Sequence, residues 1–107
     1  MKEKLWLIIN HFKIKNQMKK LNEECYELLE AISNYNDLEP FSGEQTYFKS
    51  IFKEHVAEEI ADCLVLIKQF QLYYDISQSE INKIIEHKVD RTLKRINENY
   101  YEKKEVK

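Results

Sequence analysis

Two acidic pentads carry the residues of this chain best suited to chemistry: Glu23-Glu24-Cys25-Tyr26-Glu27 and Glu58-Glu59-Ile60-Ala61-Asp62. Each holds two carboxylates three residues apart inside a stretch of helical periodicity. Successive residues of a helix turn by about 100°, so such a pair occupies neighbouring positions on one face. Two pairs on facing helices would gather four carboxylates. These would repel one another strongly unless divalent cations lay between them. The pattern therefore points to a magnesium site.

Helical-wheel geometry sharpens this expectation. With Leu21 as origin, Leu21, Cys25, Leu28 and Ile32 form an apolar stripe, with Glu24 about 60° and Glu27 about 120° to one side. With Val56 as origin, Val56, Ile60, Cys63, Ile67, Phe70 and Tyr74 form a second stripe, with Glu59 and Asp62 at the same offsets. Glu23 and Glu58 point nearly opposite. A single Glu-x-x-Glu on a charged helix is ordinarily a solvated face. Its repetition beside two apolar stripes favours a site.

The elements that must hold these residues follow from composition and punctuation. A chain of 107 residues with one Gly and one Pro, rich in Leu, Ile, Glu and Lys, reads as one all-α domain over 1–107. A first helix is expected over Lys2–Asn10, then a turn over His11–Ile14. A second helix runs to Tyr35 with Asn16 as its N-cap. Pro40 and Gly43 mark Asn36–Tyr47 as the long loop. A third helix is expected over Ser50–Tyr74, and Ser77-Gln78-Ser79-Glu80 is a capping box opening a fourth that reaches Tyr101 before a charged tail.

Composition also narrows the classes. A net charge of −2 provides no basic field for nucleic acid. Leu5–Ile9 is too short an apolar run for a membrane span or a signal-peptide core. The two cysteines, Cys25 and Cys63, lie on the apolar stripes and read as reduced thiols of a cytoplasmic protein. Lys88, Arg91 and Arg95 recur on one face of the last helix, and Lys20 stands one turn before Glu24. All four are candidate phosphate contacts, although basic residues late in a helix also suit its dipole.

Taken together, Lys20 to Leu28, Glu58 to Asp62 and Lys88-Val89-Asp90-Arg91 resemble the MazG-like members of the all-α nucleoside triphosphate pyrophosphohydrolases. The resemblance covers about Gln17 to Arg95. It implies a four-helix bundle that assembles as a dimer or tetramer and uses Mg²⁺, with Mn²⁺ as an alternative. The implied activity cleaves a nucleoside triphosphate between its α and β phosphates, to monophosphate and pyrophosphate. It also implies Glu24, Glu27, Glu59 and Asp62 as catalytic metal ligands, with Lys20, Lys88, Arg91 and Arg95 near the substrate phosphates. Some members carry Asn two residues before the basic position of the last helix, where Glu86 stands here. The Tyr-His that follows the second motif in phosphoribosyl-ATP pyrophosphohydrolases is absent after Asp62, which ranks that substrate lower.

Two rival readings remain at this stage. A non-catalytic helical module would use the acids as a solvated or partner-binding face. A nucleotide sensor would keep the scaffold and bind without turnover. A di-iron bundle is excluded, because no Glu stands three residues before His11, His55 or His87. His55, one turn before Glu59, reads as a partly exposed helix residue. Phe41, Tyr47, Phe48 and Phe52 read as packing around the long loop.

Overall fold

The structure, a computed structural model, describes residues 1–38 and 43–98, and the side chains of all of these except 43–46. It contains α1 (Lys2–Phe12), α2 (Ile14–Asn36), α3 (Gly43–Tyr73) and α4 (Gln78–Asn97), with no strand among the described residues. The all-α expectation holds. The chain divides into a unit Met1–Tyr74, built of α1 to α3, and a unit Asp75–Lys107 that carries α4. α4 ends at Asn97 with Glu98 as its C-cap, short of the expected Tyr101; the charged tail, Pro40 and Phe41 lie outside the described residues.

Local signals explain most helix ends, and two expected boundaries are corrected. The turn expected over His11–Ile14 shrinks to one residue, Lys13, at φ 70° and ψ 144°. Its N–H donates to Ile9 O at 2.8 Å, and its carbonyl accepts from the N–H groups of Asn16 and Gln17, both at 3.1 Å. Asn16 is therefore not the N-cap. It lies in the first turn of α2, and its Nδ2 donates to Phe12 O at 2.7 Å, closing the end of α1. α3 starts at Gly43, so the second half of the expected loop is helix. Lys49 Nζ lies 5.3 Å from the Tyr35 ring centre, a cation–π contact joining the end of α2 to the early part of α3. Ser77 is the N-cap of α4 as expected: its Oγ accepts from Glu80 N–H at 3.1 Å.

α2 and α3 run antiparallel. Gln17 near the start of α2 meets Gln69 late in α3, while Glu24 and Glu27 meet Glu59 midway along both. α1 packs on both helices, burying Leu5 and Ile9 and bringing Trp6 against Tyr73 at 6.5 Å between ring centres. The remaining buried apolar residues are Ala31, Cys63 and Leu66, and they share the interior with Gln17, Glu24, Glu59 and Gln69.

This interior corrects the wheel. Ile32, Ile60, Ile67 and Tyr74, expected in the stripes, are exposed, and so is Cys25. The buried line of α2 passes through Gln17, Glu24 and Ala31, and that of α3 through Glu59, Cys63, Leu66 and Gln69. Each helix is rotated so that its first paired glutamate faces the other helix. Cys63 stays buried as expected, and Leu21, Leu28, Val56 and Phe70 are half-buried, while the other stripe residues turn to the flanks. The wheel centred the buried face on hydrophobicity alone, and polar pairing between α2 and α3 shifts it.

In the second unit, α4 buries none of its residues. Ile84, Ile85, Val89, Leu93 and Ile96 are all about half exposed. No helix among the described residues is long and apolar enough to cross a membrane.

Lys13 gives the first prediction. A non-glycine residue at positive φ with extended ψ stores strain of order 1–3 kcal/mol, and glycine relieves part of it. Lys13→Gly should raise stability by about 1 kcal/mol, read as a higher midpoint in urea unfolding. A lowered midpoint would mean that this backbone is not strained.

Candidate metal centre

Antiparallel packing brings three of the four expected carboxylates together. One ligand oxygen each from Glu24, Glu27 and Glu59 lies within 4.8 Å of the other two. Glu24 and Glu59 are buried at 7% and 8% exposure, whereas Glu27 is exposed. Asp62, the fourth expected ligand, stands apart from this trio. It is exposed, lines a cavity beside Glu24, and its negative charge acts on Glu59.

The trio is arranged as an electrostatic ladder. Lys20 Nζ lies 3.1 Å from Glu24 Oε1, and this hydrogen bond holds the Glu24 carboxyl below the usual carboxylate range. Lys20 also reaches Glu23 at 3.8 Å, and its own ammonium is pushed up, chiefly by Glu24. Glu27 is pushed up, first by its hydrogen bond to Glu24 and then by Glu24's charge. Glu59 is pushed up mainly by desolvation, then by the charges of Glu24 and Asp62. His55 Nε2, 3.8 Å from Glu59 Oε1, opposes that shift.

Two atoms reveal what the cluster lacks. Glu24 Oε2 and Glu59 Oε2 are buried with no hydrogen-bond donor. A buried, unpaired carboxylate oxygen is costly, and native interiors rarely leave one. The only way for Glu24, Glu27 and Glu59 to relieve each other without a further group is to share protons. Hard oxygen donors converging from two helices fit a magnesium-type cation, which favours carboxylates and keeps several waters. The exposed Glu27 and Asp62 leave room for those waters and for an anionic ligand.

The remaining expected site residues are distributed as follows. Lys20 sits at the trio. Lys88, Arg91 and Arg95 lie on α4 in the second unit, with Lys88 and Arg91 exposed and Arg95 half-buried. Glu58 is exposed, as the wheel required. His55 is about half exposed, and together with Glu30 and Asn34 it lines a hollow on the far side of Glu27 and Glu59. Tyr47 and Phe48 are exposed and Phe52 is half-buried.

Gln17 and Gln69 went unremarked in the sequence. Gln17 Nε2 donates to Gln69 Oε1 at 2.9 Å in the buried interior. The signal was present: Gln17 stands seven residues before Glu24 and Gln69 seven after Asp62, two helical turns in each case. Both glutamines thus share a helix side with a carboxylate that the motifs had already marked.

Crowded carboxylates on a helix pair, with a cation adjoining them, make a candidate site for a divalent ion. The family model of the MazG nucleotide pyrophosphohydrolase domain matches residues 12–99, which span α2 to α4. The chain belongs to the MazG family. No curated protein and no solved structure matches it.

The ladder yields a prediction with a definite sign. Because the Glu59 carboxyl is raised in the folded protein, its stabilising contribution is present below the ordinary value near 4.5. That contribution is lost as pH rises through the raised value. Metal-free Glu59→Gln should therefore unfold at an equal or higher temperature than the parent at pH 7, with the difference vanishing in acid. Its Mg²⁺ affinity should fall by about tenfold or more, the scale on which even outer-shell ligand partners act. Glu58→Gln is the matched control and should change neither quantity. A destabilised metal-free Glu59→Gln would contradict the ladder.

Proposed function

We propose that the protein hydrolyses nucleoside triphosphates to the monophosphate and pyrophosphate, using Mg²⁺ or Mn²⁺ held by Glu24, Glu27, Glu59 and Asp62. The single observation that carries this reading is a pair of buried, donorless oxygens, Glu24 Oε2 and Glu59 Oε2, on two carboxylates that converge from α2 and α3. Membership of the MazG family supports the reaction class. A merely solvated acidic face would not bury two of its oxygens without partners.

When bound, the cation neutralises triphosphate charge and acidifies an attacking water. The protein's own groups supply the rest. Lys20, already 3.1 Å from Glu24, is a fixed positive charge at the rim and suits an α-phosphate oxygen. Glu27 is exposed and its carboxyl is pushed up, so it is suited to hold a proton taken from the water. Lys88, Arg91 and Arg95 are the proposed contacts for the leaving pyrophosphate. The nucleotide-sensor reading shares every binding contact and differs only in turnover.

A homo-oligomer is part of this proposal. Tyr26 and Leu29 on α2 and Leu64 and Ile67 on α3 are exposed, as is the apolar stripe of α4. So much apolar surface on a small chain favours burial against a second copy. Light scattering at micromolar concentration should report a dimer or tetramer, and a monomer would remove this part of the proposal.

Ribo- and deoxyribonucleoside triphosphates incubated with the protein should give monophosphate and pyrophosphate only when Mg²⁺ or Mn²⁺ is added. Binding without hydrolysis would instead establish the sensor. Arg91→Ala should lower kcat/KM by roughly one to three orders of magnitude, the scale of a lost charged contact. Mg²⁺ affinity without nucleotide should barely change. Weakened metal binding with near-normal catalysis at saturating Mg²⁺ would make Arg91 a partner of the carboxylates instead.

A further inference from the structure

A cavity of about 560 Å³ lies between α1, α2 and α3, directly beside the carboxylates, with Glu24, Asp62 and Lys20 on its wall. Ile8, Phe12, Val65 and Leu66 supply apolar surface. Two buried amides, Gln17 at 6% and Gln69 at 1% exposure, line it as well, with Asn16, Lys19 and Glu23 making up the rest of the wall. Ligand pockets commonly have this composition and a volume of about 300–1,000 Å³, with apolar walls and few polar groups of fixed direction.

The direction of the amides is set by a chain of hydrogen bonds. Val65 O can only accept, so Gln69 presents Nε2 to it, at 3.3 Å. Gln69 Oε1 must then face Gln17, and it accepts from Gln17 Nε2 at 2.9 Å. The acceptor that the pair has left to offer is Gln17 Oε1, beside the second N–H of Gln17 Nε2. A glutamine held in this way presents one acceptor and one donor side by side and cannot flip without losing its bond to Gln69, or, if Gln69 turns with it, the bond to Val65 O.

We infer that this cavity takes the nucleoside half of the substrate, and that Gln17, locked by Gln69, is the residue that reads the edge of the base. The inference rests on the pyrophosphohydrolase reading for the identity of the occupant. Geometry then supplies the fit. Gln17 and Glu24 are two turns apart on α2, about 10 Å, a separation suited to a base edge at one end and an α-phosphate at the other. The apolar walls cover the ring faces, while the amide meets a ring edge carrying a donor next to an acceptor. A ring nitrogen methylated on that edge cannot make the pair. A base that leaves the Gln17 amide unmatched strands a buried polar group, the device by which sites reject near-isosteres most strongly.

The test uses nucleoside 5′-monophosphates with EDTA present, so that binding is read without metal or turnover. Each natural monophosphate is titrated calorimetrically beside its counterpart methylated on the ring nitrogen of the pairing edge. The best-bound natural monophosphate should lose about tenfold or more in affinity on methylation. Gln17→Leu should bring the natural and methylated forms to within about threefold of each other. Gln69→Leu, which frees Gln17 to turn, should narrow the differences among the natural bases. Equal binding of natural and methylated forms by the parent protein would overturn the inference, whatever the variants do. So would an unchanged preference in a folded Gln17→Leu. Triphosphate hydrolysis with no monophosphate discrimination would sink this inference alone. Discrimination without hydrolysis would keep the pocket and sink only the hydrolytic reading.

Discussion

Like-charge crowding between α2 and α3 is the constraint around which the Met1–Tyr74 unit is organised. Three carboxylates share one space, and two of their oxygens are buried without a donor. Such an arrangement opposes folding, so it persists only where something else holds the helices in place. Lys20 offsets part of the repulsion by keeping Glu24 ionised, and the remainder falls on Glu27 and Glu59, whose carboxyls are driven up. The result is a site with a graded demand for positive charge. A bound dication would meet that demand more fully than Lys20 alone.

The forces that hold the helices against this repulsion lie at both ends of the same interface. Gln17 and Gln69 clasp the start of α2 to the end of α3, and Lys49 over the Tyr35 ring ties the opposite end. Between them the register is fixed, and a shift by one residue would carry Glu24 away from Glu59. α1 adds Leu5 and Ile9 against the same pair, and the single-residue hinge at Lys13 sets the angle at which it does so. The strain at Lys13 and the charge at the centre are thus two costs of one geometry. Both are borne by a small set of close contacts and not by a large hydrophobic core.

The sequence made the helices legible because their punctuation is local. Ser77 and Glu80 form their cap within four residues, and the single Pro and Gly left one obvious gap. The acidic pairs were legible because the side-chain period of a helix is fixed. The rotation of each helix about its own axis was not. Cys25, Ile32, Ile60 and Ile67 looked like the buried stripe, yet Gln17, Glu24, Glu59 and Gln69 share the interior with Cys63, Leu66 and Ala31 in their place. A wheel weights residues by hydrophobicity, whereas a buried amide or carboxylate is positioned by its partner on another helix. Partnership of this kind between Gln17 and Gln69 spans 52 positions and has no local trace. Asp62 illustrates the converse: its motif position matches Glu27's, but only the Glu27 oxygen reaches the converging set.

An interior given over to polar groups has a consequence for the surface. Hydrophobic residues displaced from the α2–α3 interface do not vanish; Ile32, Ile60 and Ile67 emerge on its flanks, joining Tyr26, Leu29 and Leu64 at the surface. The same holds for α4, whose regular apolar spacing is the mark of a face meant for burial. Exposed apolar stripes are tolerated singly but not over several turns. A chain that uses its own interior to hold charge would then recover hydrophobic burial by association, and the proposed homo-oligomer would share one cause with the polar site. On this view the carboxylates and the flanking apolar residues are coupled. Rotating α2 or α3 to bury Ile32 or Ile60 would strengthen the isolated unit, yet it would also turn Glu24 or Glu59 out to solvent and dissolve the site.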